Sequence, residues 1–576
     1  MYCRIVFLLS LLVFWIPCWV FATEINVSVK GLEGELLKNV LALLEINLHR
    51  DNPRISTYDI HRLYKKGDAD IRMALAPYGY YDPTIDSSLV EKEETFTAKY
   101  TVKAGEPVRI SMIDLEVVGP GREAFDNLFE QFPLQVGDIL NQETYEQGKR
   151  RITIAAMRKG YLKASFARRE LLINRSEKRA EIHLYLDTGP QFVFGETSFE
   201  DDSVQNELLQ RYLPYQPGDP YRPGKLIELQ KLLYGTEFFS RVSVDGQPDK
   251  EENFAIPVNV RLTPPEHLNR YSVGLGYATD TGARVRFEWW NRLLNSWGHQ
   301  VRASAQVSQY DSNLRIDYTL PWLDPKRDTL GYSLGYQDLT WDDTDTRLAT
   351  AGVRVERKGK LIRHGGSFEF RNEDYTVGVT SGSSVLFVPT YTGTVIWADD
   401  LLKTKYGLDL SLSVSGASEA LGSDASYLKG LVNGKTIITL LPGLRFIGRG
   451  SLGTILVDSI DNIPPSLRFY AGGDQSVRGY AYRELGTKDA SGAVVGGRYL
   501  VVGSGEIEKS IADNWSLAAF WDVGNAMDDL SIDLKNGVGG GFRYRLPFGQ
   551  VRVDIASAIS EEGSPFRLHL TVGADL

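Results

Sequence analysis

From Tyr271 onward, apolar and polar residues alternate with a period of two. Tyr271, Val273, Leu275 and Tyr277 alternate with Ser272, Gly274 and Gly276, and Val285, Phe287 and Trp289 with Arg284, Arg286 and Glu288. Val301, Ala303, Ala305 and Val307 alternate with Arg302, Ser304, Gln306 and Ser308, and Leu314, Ile316, Tyr318 and Leu320 with Arg315, Asp317 and Thr319. The last run sets Phe566, Leu568, Leu570, Val572, Ala574 and Leu576 against Arg567, His569, Thr571, Gly573 and Asp575. Successive side chains of a strand point to opposite faces, so each run predicts a strand with one apolar and one polar face. Lipid on one face and a wet lumen on the other is the pattern of a transmembrane barrel. Trp289-Trp290, Trp322 and Trp341 stand at run ends, where aromatic girdles would lie. A soluble β-sandwich or propeller would usually have shorter strands and no such ends. At roughly 19 residues per strand and connection, residues 266–576 hold about 16 strands.

Residues 23–265 follow another rhythm, in which short strands mix with helical stretches and repeat. A turn pairing glycine with an aromatic recurs at Gly79-Tyr80-Tyr81, Gly160-Tyr161 and Gly235 with Phe238-Phe239. Each is followed by an alternating strand and a stop, at Gly105-Glu106-Pro107, Gly189-Pro190 and Pro264-Pro265. Gly137-Asp138 and Gly218-Asp219 precede the helical part of the later two. Such periodicity marks an array of like modules, with boundaries at 23–104, 105–188 and 189–265. The glycine has a local reason: a helix that stops and reverses calls for positive φ at its cap. The helices are amphipathic, as with Tyr145, Ile152, Ala155 and Ala156 set among Arg150, Arg151 and Arg158. An exposed edge strand in such a module can take up an extended peptide as a new strand.

Composition narrows the picture. Residues 1–22 are expected to be a signal peptide: Arg4, then an apolar stretch from Ile5 to Ile16, then Val20 and Ala22 at the −3 and −1 positions before Thr23. Cys3 and Cys18, the two cysteines, both fall there, so no disulfide or cysteine metal site is expected in the remainder. A net charge of −10 without a basic run argues against nucleic-acid binding. The seven histidines, His49, His61, His183, His267, His299, His364 and His569, show no metal-ligand spacing. Neither a nucleophile elbow nor a phosphate loop nor a zinc-protease helix occurs, so no enzyme activity and no cofactor are expected.

Residues 472–480 read Gly-Gly-Asp-Gln-Ser-Val-Arg-Gly-Tyr, within a loop from about Ser466 to Gly497. Phe520, Asp522 and Gly524 share one strand face; Ser504, Glu506 and Glu508 share another. Gly539, Gly541, Arg543, the run Pro547-Phe548-Gly549 and Asp554 follow. Together these residues resemble the Omp85 family of outer-membrane barrels, and the repeats resemble its POTRA domains. The resemblance implies three POTRA-like α+β units followed by an antiparallel transmembrane β-barrel of about 16 strands. It implies a loop motif of Gly472, Gly473, Ser476, Val477, Arg478, Gly479 and Tyr480 folded into the lumen, with Phe520, Asp522 and Gly524 as its partner on the inner wall. An Arg478–Asp522 pair is expected to pin the loop, such that exchanging the two charges restores what either single change loses. A lateral seam is expected between Tyr271, Val273 and Leu275 on the first strand and Leu570, Val572 and Gly573 on the last.

Three units and one barrel resemble the TamA-type branch of the family. That implies an outer-membrane assembly factor inserting clients such as autotransporters. Its partners would be unfolded outer-membrane proteins, outer-membrane lipid and a TamB-like protein anchored in the inner membrane. The alternatives are a two-partner secretion transporter, which typically has two units and a plug helix, and a plain diffusion channel or receptor, which would need neither the repeats nor the loop.

Overall fold

The computed structural model describes residues 24–92, 95–125, 132–201, 203–278, 282–341, 344–400, 403–546 and 549–573. The expected signal peptide, the Pro547-Phe548 step and the final three residues lie outside them.

Three small sheets come first. β1 (Glu24–Lys30), β2 (Thr84–Lys92) and β3 (Thr95–Lys103) order as β1-β3-β2, with β1 parallel and β2 antiparallel to β3. β4 (Arg109–Val118), β5 (Ser165–Asn174) and β6 (Arg179–Asp187) repeat the arrangement as β4-β6-β5. β7 (Val193–Glu200), β8 (Arg241–Gly246) and β9 (Ala255–Thr263) order as β7-β9-β8. In each sheet the last strand in sequence is central, and its alternate residues are buried. They are Phe96, Ala98, Tyr100 and Val102; Ala180, Ile182, Leu184 and Leu186; and Ile256, Val258, Val260 and Leu262.

Helices cover these faces. α1 (Gly34–Leu43), α2 (Glu45–Leu48) and α3 (Thr57–Leu75) serve the first module, α4 (Gln142–Arg158) the second, and α5 (Asn206–Arg211) and α6 (Pro223–Tyr234) belong to the third. Ser56 caps α3 by accepting from the Asp59 N–H at 3.1 Å, and Asn141 caps α4 by accepting from Thr144 at 3.1 Å. Burial pushes the Tyr100 phenol above its ordinary range. The expected positive φ is present at Gly79 (86°) and Gly160 (92°). Gly235 departs from it: its N–H still bonds to Lys231 as the helix continues, and the left-handed residue is Glu237, φ 60°. The turn there is two residues longer, so the reversal comes later.

The chain divides into two compact units, one with the first two modules and part of the third, the other with the rest of the third and the barrel strands. The barrel strands form one 16-stranded sheet in sequence order, each antiparallel to the next. They are β10 (Asn269–Ala278), β11 (Gly282–Asn291), β12 (Gln300–Ser308), β13 (Asp311–Pro321), β14 (Asp328–Trp341) and β15 (Thr344–Lys358). Then come β16 (Ile362–Val377), β17 (Thr380–Ala398), β18 (Tyr406–Ala417), β19 (Tyr427–Leu441) and β20 (Leu444–Leu456). The last five are β21 (Tyr499–Ala512), β22 (Trp515–Met527), β23 (Lys535–Leu546), β24 (Gly549–Ala558) and β25 (Phe566–Gly573). β10 and β25 approach one another, but among the described residues no ladder joins them. The apolar residues of the early strands face outward: Val273 and Leu275 are 68% and 82% exposed. Trp341 departs from the girdle expectation. It is buried at the end of β14, edge-on to Tyr470 at 5.5 Å and beneath Arg483 at 4.3 Å. Its parity puts it on the inner face, where the long loop covers it.

Candidate functional site: the lumen loop and its clamp

The segment between β20 and β21 is a long loop that packs on the inner face of the sheet. Its own apolar residues, among them Leu467, Phe469, Val477, Tyr480 and Leu485, are buried with Ile455, Leu500, Val502, Ala526 and Ala558 of the wall. Bridges at Phe469↔Gly497 and Ala471↔Leu485 fold it back on itself. Gly472, Gly473 and Gly479 have φ of 99°, 97° and 99°, which a side chain resists. The Ser476 hydroxyl accepts from the Gly472 N–H at 3.2 Å and tightens the turn before the tip.

Arg478 stands at that tip, 3% exposed. Its guanidinium makes a two-pronged contact with Asp522, Nε at 2.7 Å and Nη2 at 2.9 Å. The planar fork of arginine matches a carboxylate in this way. The Arg478 backbone N–H donates to the same carboxylate at 3.1 Å, and the Ser504 hydroxyl adds a fourth bond at 2.6 Å. Nη1 donates to Glu506 at 2.8 Å and to Asp554 at 3.1 Å. The Phe520 ring lies 3.3 Å beneath the guanidinium carbon, a cation–π contact. Phe520 and Asp522 are two residues apart on one face, so one supports the guanidinium and the other binds it.

The register explains why these residues meet. Ser504 lies opposite Asp522, Glu506 opposite Phe520, and Gly541 opposite Asp554. Arg543, fully buried on β23, donates to Glu506 at 2.8 Å and to Asp554 at 3.1 Å. Arg449 of β20 stands 4.0 Å from Asp522. Three guanidiniums thus face three carboxylates, which lets the charges be withdrawn from water together. Glu508 does not join them; it pairs with Arg445 at 2.8 Å. β23 contributes by its lack of side chains. A Cβ on Gly537 would lie 1.9 Å from the Arg478 carbonyl oxygen, and one on Gly541 would lie 2.2 Å from the Val553 carbonyl oxygen. Gly524 is similarly tight, 2.6 Å from the Val501 carbonyl oxygen.

The sequence motif residues therefore come together, with Arg478, Phe520 and Asp522 in direct contact. No group of metal-ligating side chains occurs among the described residues. Two participants escaped the sequence reading. Arg449 looked like any lumen-facing charge. His569 looked like one of seven scattered histidines, yet its Nε2 accepts from the Gly479 N–H at 3.0 Å and its Nδ1 is hydrogen-bonded to Asp474. Its inner-face parity with Arg567 was the available signal. The expected seam residues Tyr271, Val273 and Leu275 lie on β10, and Leu570, Val572 and Gly573 on β25.

Fold and site define a class: POTRA modules followed by a 16-stranded outer-membrane barrel with an inward-folded loop. The Omp85 superfamily domain matches residues 296–575, a TamA-type first POTRA domain matches 26–104, and a surface antigen variable number repeat matches 192–263. Residues 296–575 thus carry an Omp85 superfamily domain, preceded by POTRA domains. It is an outer-membrane protein with its POTRA modules in the periplasm. It is 21% identical over 398 residues to the outer membrane protein assembly factor BamA of Neorickettsia risticii, 64% of this chain and 52% of the relative. To that of Nitratidesulfovibrio vulgaris it is 21% identical over 558 residues, 91% of this chain and 69% of the relative. The chain thus spans about half of the first relative's length and about two thirds of the second's. Among solved structures, BamA from Haemophilus ducreyi lacking POTRA domains 1–3 superposes with a TM-score of 0.69 at 15% identity, covering 81% of this chain and 99% of that one.

Proposed function

We propose that the protein assembles other proteins into the outer membrane. The POTRA modules receive unfolded clients, and the barrel passes client strands into lipid through a lateral seam between β10 and β25. Autotransporter-like barrels are the client class, and a TamB-like protein anchored in the inner membrane is the partner across the periplasm. The observation that carries this reading is the clamp. A buried Arg478 joined to three carboxylates fixes a loop inside the barrel, beside an edge strand that has no ladder to β10 among the described residues. The match of residues 26–104 to a TamA-type POTRA domain supports the choice within the family.

The test removes the protein from its host and follows newly made autotransporters by protease shaving of whole cells, with a secreted exoprotein measured alongside. Loss of surface-exposed autotransporter with normal exoprotein is expected. Loss of the exoprotein alone would overturn the reading in favour of two-partner secretion, and no change in either would end it.

A further inference from the structure

We propose that His569 is a positioning residue that latches β25 to the lumen loop, holding from inside the barrel an edge that has no ladder to β10 among the described residues. The consequence for clients rests on the seam reading above; the latch itself does not.

β25 is described over Phe566–Gly573. It pairs with β24 from Ser557↔Phe566 to Gln550↔Gly573, on one side. A strand bonded along one edge opens more readily than one bonded along two. Its outer-face residues gain little from protein contact: Phe566 is 78% and Leu568 49% exposed. What it has instead lies on the inner face. His569 is buried, and its Nε2 accepts the Gly479 N–H at 3.0 Å. An imidazole nitrogen that accepts carries no proton, so in the neutral ring the hydrogen sits on Nδ1, facing the Asp474 carboxylate.

Gly479 and Asp474 bracket Arg478 in the same loop tip. Arg478 ties that tip to β21, β22 and β24 through Glu506, Asp522 and Asp554. His569 carries the tie one strand further, to β25. Register places His569 opposite Asp554, so clamp and latch are cross-strand neighbours. The contact demands glycine on the loop side: Gly479 has φ 99°, and a Cβ there would lie 2.9 Å from Ser557 and Ala558 backbone atoms. A second tie, Arg567 to Glu484 at 3.9 Å, is partly exposed and adds little.

The experiment reads the edge directly. Single cysteines are placed along β10 and β25, with Cys3 and Cys18 removed, and seam disulfide yields are mapped across registers in folded, heat-modifiable protein. His569→Phe removes acceptor and donor. It is expected to lower the yield at the preferred register about fivefold, the population shift worth one lost hydrogen bond, and to spread it to neighbouring registers. His569→Gln, whose amide oxygen can accept from Gly479, is expected to keep the wild-type map. Asp474→Ala, which leaves the strand sequence intact, is expected to weaken the map in the direction of His569→Phe, and it decides the matter if His569→Phe fails to fold. A wild-type map in whichever of these two variants folds, or a Gln variant as impaired as Phe, would overturn the latch. A changed map with undiminished autotransporter insertion would leave the latch standing and sink the seam reading of function.

Discussion

The early and late strands of the barrel use the same ingredients, arginines and acids at alternate inner-face positions, and obtain different things from them. In β11–β16 several pairs are open to water. Arg315 meets Asp317 at 2.9 Å, Arg302 meets Glu288 at 3.3 Å and Arg363 meets Glu356 at 3.5 Å, with the arginine side chains 42–59% exposed. Against β21–β24 the side chains of loop Arg478 and of Arg543 and Asp522 are 4%, 1% and 0% exposed, and each carboxylate serves more than one donor. The difference is the loop. Where it covers the wall, water is gone and each charge must be answered by another charge or by a backbone carbonyl, as Lys429 is by Leu467. Where it does not, water answers most of them. A charge in a strand pattern therefore has no fixed energetic weight; cover decides it.

The largest effect that sharpens this contrast comes from Arg478→Ala. It leaves Asp522 only the backbone N–H at position 478, Ser504 and, at 4.0 Å, Arg449, and leaves Glu506 and Asp554 to Arg543; removing one partner of a buried network costs about 3–5 kcal/mol. The loop is expected to become protease-sensitive and client insertion to fail. Intact loop protection in the folded variant would mean that the apolar packing of Val477 and Tyr480, and not the clamp, holds the loop.

Next comes the charge exchange Arg478→Glu with Asp522→Arg. A single pair predicts rescue, as the sequence alone led us to expect. The structure changes that expectation, because the carboxylate introduced by Arg478→Glu would face Glu506 and Asp554 within a site built for a cation. The double variant is expected to be no better than the worse single one, by client insertion and by loop proteolysis. Rescue would reduce the network to one pair.

How far the chain announced all this depends on the kind of contact. Period-two runs placed β10–β13 and the inner faces of β22 and β25, because a strand's parity is local. The helix-to-strand reversals at Gly79 and Gly160 were legible for the same reason. Cover is not local. Trp341 reads as a girdle residue until a loop far along the chain lies over it, and Glu237 takes the left-handed position only because its turn is longer. Arg478 and Asp522 were visible through a motif, whereas Arg449 and His569 carry no motif and meet the loop only through register. Glu506 and Glu508 look alike in sequence, yet one joins the clamp and the other goes to Arg445.

A smaller effect compares two strand glycines. Gly537→Ala puts a methyl group against the Arg478 carbonyl and is expected to cost about 1–3 kcal/mol by overpacking. Gly274→Ala on β10 meets nothing closer than 3.8 Å and is expected to change stability by less than about 0.5 kcal/mol. Denaturant midpoints of the two folded variants check this. Equal midpoints would mean that the glycines of β23 are not there to admit the loop.

The smallest effect belongs to Arg315→Ala. Its partner Asp317 is partly exposed and retains Arg354 at 3.8 Å, so the loss should stay below about 1 kcal/mol and shrink further at high salt. High salt should leave the Arg478 clamp almost untouched, because ions cannot enter where the loop excludes water. Measuring both variants at low and at high ionic strength therefore isolates cover from charge. If Arg315→Ala and Arg478→Ala lost stability in parallel as salt rose, the clamp would be wet, and the two ends of the barrel would differ in geometry alone.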